Sequence, residues 1–274
     1  MNRNKAILLL LVTGIIWSTG GLFIKLIPWP PMTIAGIRSG LCALVIYIYS
    51  KPKSKTFGFN IWAGAICYAV MVICFVIGNK VTTSGNVILI QYAAPVYVAL
   101  FGFSFLGEKS TKIDWIAIII IICGLSFFFY DDLSTEEKWG NILAVFSGIG
   151  FAGLTLFMRK EKDAKPIHSI LIGNLITFLL CLPFYYNGIT MEIKPWITIF
   201  FLGFVQLGLA YIFFSIAIKY VNALDAIIYP VIEPLFNPTL TFLFLGEKMS
   251  NTAVLGGILV LTGVIGRSIF QTQD

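Results

Sequence analysis

Tyr229-Pro-Val-Ile-Glu-Pro-Leu-Phe-Asn-Pro238 interrupts a long apolar run with three prolines spaced four apart (Pro230, Pro234 and Pro238) and one carboxylate, Glu233. A proline has no backbone N–H, so each one leaves the carbonyl four residues earlier without its helical partner. At membrane depth such backbone survives only where protein covers it or where it lines a wet cavity. An ionisable side chain at that depth is a functional-site hypothesis by default. The stretch is therefore expected to form one wall of a transport site.

The surrounding chain has the composition that this reading requires. Of 274 residues, 58% are hydrophobic and 12% charged, with a mean hydropathy of +0.91. Soluble domains carry about 25% charged residues. Apolar runs of about 20 residues, the length needed to cross hydrocarbon, recur along the whole chain. The expected spans are 6–27, 32–50, 58–78, 82–105, 113–130, 139–159, 167–186, 195–218, 222–245 and 252–270. Ala6–Ile27 is too long for the apolar part of a signal peptide and reads as the first span. The loops are short and leave no room for a soluble domain, so function is expected between the helices.

Lysines and arginines set the expected orientation. With the N-terminus inside, the inner segments hold 13 of them and the outer segments 5, while Arg38 lies within a span. That bias places both termini in the cytoplasm of a cell (inner) membrane, and it accounts for the net charge of +6 without a nucleic-acid partner. Trp29, Trp62, Trp115, Trp139 and Trp196 fall near expected span ends, as an aromatic belt requires. Trp17 lies inside the first span, where its indole N–H is expected to need a partner. His168 sits at a span boundary and is expected to be solvated. The five cysteines show neither paired nor metal-ligand spacing and read as small hydrophobes, so neither a metal nor a cofactor is expected.

The chain also repeats itself. Residues 80–128 align without gaps on 219–267 at an offset of 139, matching Lys80 with Lys219, Pro95 with Pro234, Leu-Gly-Glu-Lys 106–109 with 245–248, and Gly124 with Gly263. A weaker match at an offset of 134 pairs Gly14, Leu22, Phe23 and Lys25 with Gly148, Leu156, Phe157 and Arg159. Two halves of five spans, 1–134 and 135–274, follow. Five is odd, so the halves enter the membrane in opposite senses. The expected fold is an all-α membrane protein of ten transmembrane helices, arranged as two inverted-topology repeats around a central cavity. Inverted halves can exchange conformations around a midplane site, which is how secondary carriers alternate access.

The blocks Pro95–Lys109 (PVYVALFGFSFLGEK) and Pro234–Lys248 (PLFNPTLTFLFLGEK), with Gly-Ile-Ile-Trp-Ser at 14–18 and Arg38 in the second span, resemble the drug/metabolite transporter superfamily in its EamA-like branch. The resemblance covers the whole chain. It implies a basket-shaped bundle with a central cavity, peripheral fifth and tenth spans, and alternating access for small metabolites. The family tends to carry Glu-Pro in the ninth span, so Glu233 need not be specific to one substrate.

Glu233 stands about 16 Å along an ideal helix from Asn222, near mid-membrane. It reads as a substrate-binding or proton-coupling carboxylate, as a structural partner of Arg38, or as a protonated carboxyl bonded to a neighbour. Arg38 points away from the Gly36/Gly40 packing stripe and faces a cavity or a counter-ion, with structural pairing the leading reading. Trp17, Tyr68, Gln91, Tyr92, Gln206, Tyr211 and Tyr229 share this depth and complete the candidate binding set, in which aromatic faces could surround an organic cation. Each Leu-Gly-Glu-Lys turn reads as a helix stop with glycine as the left-handed cap. Lys80 and Lys219 read as snorkelling to the interface. HExxH, GxSxG and Walker A motifs are absent, so an enzyme is not expected. The expected function is secondary active transport of a small polar or amphiphilic metabolite, such as an amino acid or organic amine, by a monomer or weak dimer. A facilitative exporter or a membrane helper subunit is the alternative.

Overall fold

Uncharged runs of this length become helices in a bilayer because a helix satisfies every backbone group within its own segment. The computed structural model describes residues 1–52, 57–128, 130, 138–186, 188–236 and 251–271, and among these the chain is helical with no strand. The helices are α1 (Arg3–Trp17), α2 (Gly20–Leu26), α3 (Pro31–Ser50), α4 (Phe59–Val81), α5 (Ser84–Gln91), α6 (Ala94–Leu106) and α7 (Lys112–Phe128). After them come α8 (Lys138–Lys160), α9 (Ile167–Cys181), α10 (Ile193–Phe201), α11 (Ala210–Ala217), α12 (Ala223–Ile228) and α13 (Asn251–Gln271). A π-helix, Leu202–Leu209, joins α10 to α11, and a 3₁₀ turn, Tyr229–Ile232, continues α12.

Among the described residues, seven segments are long and apolar enough to cross a membrane: Arg3–Leu26, Pro31–Ser50, Phe59–Val81, Val87–Leu106, Lys138–Lys160, Ile167–Phe184 and Ile193–Ala217. Val254–Phe270, in α13, is a shorter apolar helix. Pro238, the second Leu-Gly-Glu-Lys turn at 245–248 and the acidic loop 131–137 lie outside the described residues.

The first and the fourth expected spans are each split into two helices. The first breaks between α1 and α2 at Ser18-Thr19, whose hydroxyls donate to the carbonyls of Ile15 (2.6 Å) and Ile16 (2.8 Å). Hydroxyls so placed compete with the helical ladder, and Gly20-Gly21 follows immediately. The fourth breaks between α5 and α6 at Tyr92-Ala93, ahead of Pro95.

Helix ends gather at the two ends of the bundle. At the end that carries the N-terminus, Arg267 Nε bonds Asp114 Oδ1 at 2.8 Å, Arg267 Nη1 bonds Asp225 Oδ1, and Arg3 Nη2 reaches Asp225 Oδ2 at 3.3 Å. Arg267, expected at an aqueous boundary, is instead buried. Both acids sit in the first turn of a capped helix. Thr111 and Asp114 form a reciprocal capping box at the start of α7, and Asn222 Oδ1 accepts from the Asp225 N–H at the start of α12. At the same end Gly107 adopts the left-handed φ of +76° that closes α6, the cap expected of the first Leu-Gly-Glu-Lys turn. Its Glu108 does more than mark an interface. Oε1 pairs with Arg159 Nε and Oε2 accepts from the Ala223 N–H, both at 2.7 Å.

At the other end Lys80 Nζ donates to the Ile27 carbonyl (2.6 Å), and Trp29 packs on Trp196 with 5.0 Å between ring centroids. Lys80 is thus tied to a carbonyl, as Lys219 is to that of Ala164 (2.8 Å). His168, expected to be solvated, is 7% exposed, with its ring 5.1 Å from that of Phe57.

Repeat-related glycines make equivalent contacts. A Cβ added to Gly14 would lie 2.9 Å from the Pro230 carbonyl oxygen, and one added to Gly148 would lie 3.0 Å from that of Gln91. Gly124 of α7 meets the backbone of α13, and Gly263 of α13 meets α7. The offsets of 134 and 139 relate these pairs.

Gly14→Ala is expected to destabilise the purified protein by about 1–3 kcal/mol through overpacking. Gly266→Ala, where an added Cβ meets nothing within 4 Å, is expected to leave it unchanged or slightly firmer. Thermal melts in one detergent read both. Arg267→Met, which removes the buried cation that Asp114 and Asp225 share, is expected to cost about 3–5 kcal/mol in the same assay.

Candidate functional site

Four interruptions in regular helix converge at mid-bundle: the end of α1 at Trp17, the α5/α6 break at Gln91-Tyr92, the π-helix holding Gln206, and the 3₁₀ turn before Glu233. Irregular backbone in a spanning segment must find partners within the protein. Pro234 has no N–H to offer the Pro230 carbonyl, which leaves that oxygen short of its helical partner. Two groups replace it. The Glu233 N–H folds back onto Pro230 O in 3₁₀ fashion, and the Tyr92 hydroxyl lies 2.9 Å from the same oxygen. Gly14, lacking a side chain, lets α1 close over the spot.

The Tyr92 hydroxyl also lies 2.8 Å from Glu233 Oε2. One phenol therefore links the α5/α6 break to the turn that follows α12 and orients its carboxylate. Glu233 is 7% exposed and forms no ion pair among the described residues.

Arg38 of α3 is 2% exposed, and neither its Nε nor its Nη1 has a hydrogen-bond partner. The structural pairing with Glu233 that led the sequence reading is not made. The two side chains instead line one cavity, of about 40 Å³. Its wall includes Trp17, Gln91, Gln206 and Tyr211, with apolar surface from Met71, Phe75 and Phe151. An arginine desolvated without a counter-ion is costly, so its free donors are available to an anionic ligand group.

The remaining polar residues are held in place around this cavity. Gln91 Nε2 donates to Ser147 Oγ at 2.9 Å, and Ser147 Oγ donates to the Met71 carbonyl at 3.0 Å. Gln206 Oε1 has no partner. The π-helix that carries Gln206 packs Gly203 and Gly208 against α3, and such segments often mark functional sites. The Trp17 ring lies 5.0 Å from Tyr211, 5.6 Å from Phe214 and 5.7 Å from Phe151, while its indole N–H lacks the partner expected for it.

Six of the nine sequence candidates thus share the cavity wall: Trp17, Arg38, Gln91, Gln206, Tyr211 and Glu233. Three stand behind it. Tyr92 holds Glu233. Tyr68 packs edge-on against Tyr211 and donates to Asn174 Oδ1 at 3.0 Å. Tyr229 is buried with its hydroxyl unpartnered, away from the wall. Ser147, Asn174 and Phe151 are absent from the sequence set. Phe151 was within reach of sequence reasoning, because the offset of 134 pairs it with Trp17. Among the described residues no three His, Cys, Asp or Glu side chains come together as a metal site.

Known proteins resemble this chain over nearly its whole length. It is 24% identical to an uncharacterized transporter of Bacillus subtilis (strain 168), covering 97% of this chain and 94% of the relative. Identity is 21% to the pseudopaline exporter of Pseudomonas aeruginosa (strain PAO1), over 87% and 86%. It is also 21% to a probable amino-acid metabolite efflux pump of Escherichia coli (strain K12), over 96% and 94%. A crystal structure with 14% identity overlays 98% of the chain and 99% of its own at a TM-score of 0.83, which shows the fold alone. The model of the EamA-like transporter family matches twice, at residues 4–130 and 138–269. A bundle of apolar helices, broken around one buried polar cavity and matched in both halves by that model, belongs to the EamA-like transporter family.

Proposed function

We propose that the chain is a secondary active transporter that binds a small polar or amphiphilic metabolite between Arg38 and Glu233 and exposes it alternately to the two sides. One observation carries this reading: two opposite charges, neither ion-paired, line a single cavity where four helices are interrupted. Arg38 takes a carboxylate and Glu233 an ammonium, which together select a zwitterion such as an amino acid. Trp17 and Tyr211 supply flat apolar faces beside the cation. The relatives named as an exporter and as an efflux pump favour export as the direction.

Two five-span halves, 1–134 and 135–274, of opposite orientation perform the exchange. The equivalent contacts of Gly14 and Gly148, and of Gly124 and Gly263, support this arrangement. So do Lys80 and Lys219, matched in the repeat, which donate to a carbonyl at the end of the first expected span and to one shortly after the sixth. The basic end of the bundle, with both termini, faces the cytoplasm. Glu233 couples transport to protons: with the carboxyl neutral the ammonium loses its partner, so protonation and substrate compete for one group.

In proteoliposomes under an imposed proton gradient, the wild type is expected to concentrate a zwitterionic amino acid. Arg38→Gln is expected to weaken zwitterion binding tenfold or more, about 1.4 kcal/mol, while leaving a simple amine unaffected. Glu233→Gln is expected to lose both ligands and to flatten the pH profile. If it transports with the wild-type pH profile, Glu233 is not the coupling group. Thermal shifts against amino acids and choline-like amines read the same selectivity without transport. For topology, a fluorescent-protein fusion at residue 274 is expected to fluoresce and an alkaline phosphatase fusion there to be inactive; the reverse would invert the orientation.

A further inference from the structure

At the end of the bundle that carries the N-terminus, a second cavity of about 340 Å³ opens between the last turn of α3, the first turn of α9 and the end of α11. Its wall includes Tyr49, Ser50, Lys165, Ile167, Ser215 and Lys219. Both lysines are pinned by backbone. Lys165 Nζ donates to the Ser50 carbonyl at 3.3 Å, and Lys219 Nζ to that of Ala164 at 2.8 Å. An ammonium has three N–H groups, so each keeps two for another partner. Neither forms an ion pair among the described residues, and the nearby Glu161 accepts from Asn60 instead.

Two further features of this wall favour an anion. α9, 15 residues long, begins here with no acidic residue in its first turn and no side-chain cap, so the positive end of its dipole is not neutralised. Ser50 is 8% exposed, and its Oγ is buried without a hydrogen-bond partner. A cavity walled by two ammonium groups, an unneutralised helix N-terminus and an unpartnered hydroxyl has the donor set for a phosphate ester.

The helices that form this cavity also form an apolar one. Between α3 and α9 lies a groove of about 420 Å³, lined by Gly40, Leu44, Tyr47, Leu171, Leu175 and Phe178. Ile167 and Leu171 stand one turn apart on α9, and Tyr47 and Ser50 one turn apart on α3, so both cavities share the same helix faces. Tyr49 and Tyr220, each about half exposed, flank the basic mouth at the level where an aromatic belt meets lipid headgroups. A soluble phosphate ester would use the basic cavity alone. An amphiphile uses both.

We propose that these adjoining cavities bind an anionic glycerophospholipid. The phosphodiester sits among Lys165, Lys219, the Ser50 hydroxyl and the start of α9, and an acyl chain lies in the groove between α3 and α9. Basic pockets between spanning helices on the cytoplasmic side are a general mode of anionic headgroup recognition. The site is separate from the central cavity, and its test does not depend on the transported substrate.

The test is native mass spectrometry of the full chain in a neutral detergent, titrated with phosphatidylglycerol or phosphatidylcholine of matched chains. The wild type is expected to bind phosphatidylglycerol at least tenfold more tightly. A lysine near the membrane surface contributes about 1 kcal/mol, or roughly fivefold, so each of Lys165→Gln and Lys219→Gln is expected to cut the preference by that factor and the double variant to abolish it. Lys138→Gln, at the opposite end of the bundle, is expected to leave it intact. Leu175→Trp, which obstructs the groove and keeps both charges, is expected to weaken the lipid several-fold, and it keeps the test valid if the double variant fails to fold. Equal binding of the two lipids, or a preference that survives both single lysine variants, would overturn the proposal. So would glycerol 3-phosphate binding as tightly as phosphatidylglycerol, which would make the site one for a soluble anion.

Discussion

One carbonyl oxygen, that of Pro230, sets the terms for the centre of this protein. Pro234 takes away its helical donor at a depth where no water replaces it, and an unsatisfied carbonyl in hydrocarbon costs several kcal/mol. The chain answers with a tightened turn, a glycine in α1 that lets the neighbouring helix approach, and the hydroxyl of Tyr92 from the other half of the molecule. That hydroxyl also lies 2.8 Å from Glu233 Oε2, and its one proton serves the carbonyl when the Glu233 carboxyl is protonated and donates to the phenol oxygen, or the carboxylate when Glu233 is ionised. Backbone and side chain therefore share a single donor.

The two halves share packing and divide the chemistry. Gly14 and Gly148 each let a helix approach a proline-freed carbonyl, and Gly124 and Gly263 each press against the other's helix. These contacts need only shape, so repeat-related residues supply them alike. Charge follows no such rule. Glu233 corresponds to Ala94, and Trp17 packs edge-on against its repeat-mate Phe151 in the cavity wall, one ring with an N–H and one without. A ligand with distinct ends is held better by a lopsided wall than by a symmetric one.

The arginines show how much context decides. Arg38 and Arg267 are both 2% exposed on spanning helices. Arg267 meets two carboxylates at the N-terminal ends of α7 and α12, which already stabilise those helix starts, and so joins three helices. Arg38 meets aromatic rings and a cavity and keeps two buried nitrogens unbonded. One is a fastening at the bundle end. The other is charge held in readiness at mid-depth, and a buried cation stays there only if the rest of the fold is stable enough to carry it.

The order of residues by itself determined that the chain is a helical membrane protein, that its two parts are related, and that Pro230, Glu233 and Pro234 mark a special place. These follow from local facts: apolar run length, an internal offset, and a residue type that cannot complete a helix. Breaks in other spans were partly legible, since Pro95 and the Ser18-Thr19-Gly20-Gly21 run announce them. Only the tertiary structure decided that Arg38 and Glu233 line one cavity without pairing, that Tyr92 supports the carboxylate from behind the wall, and that Arg267 and His168 are buried. Sequence separation says nothing about which helix faces meet. A polar side chain at membrane depth becomes a fastening, a support or a free binding group according to what the neighbouring helix presents to it.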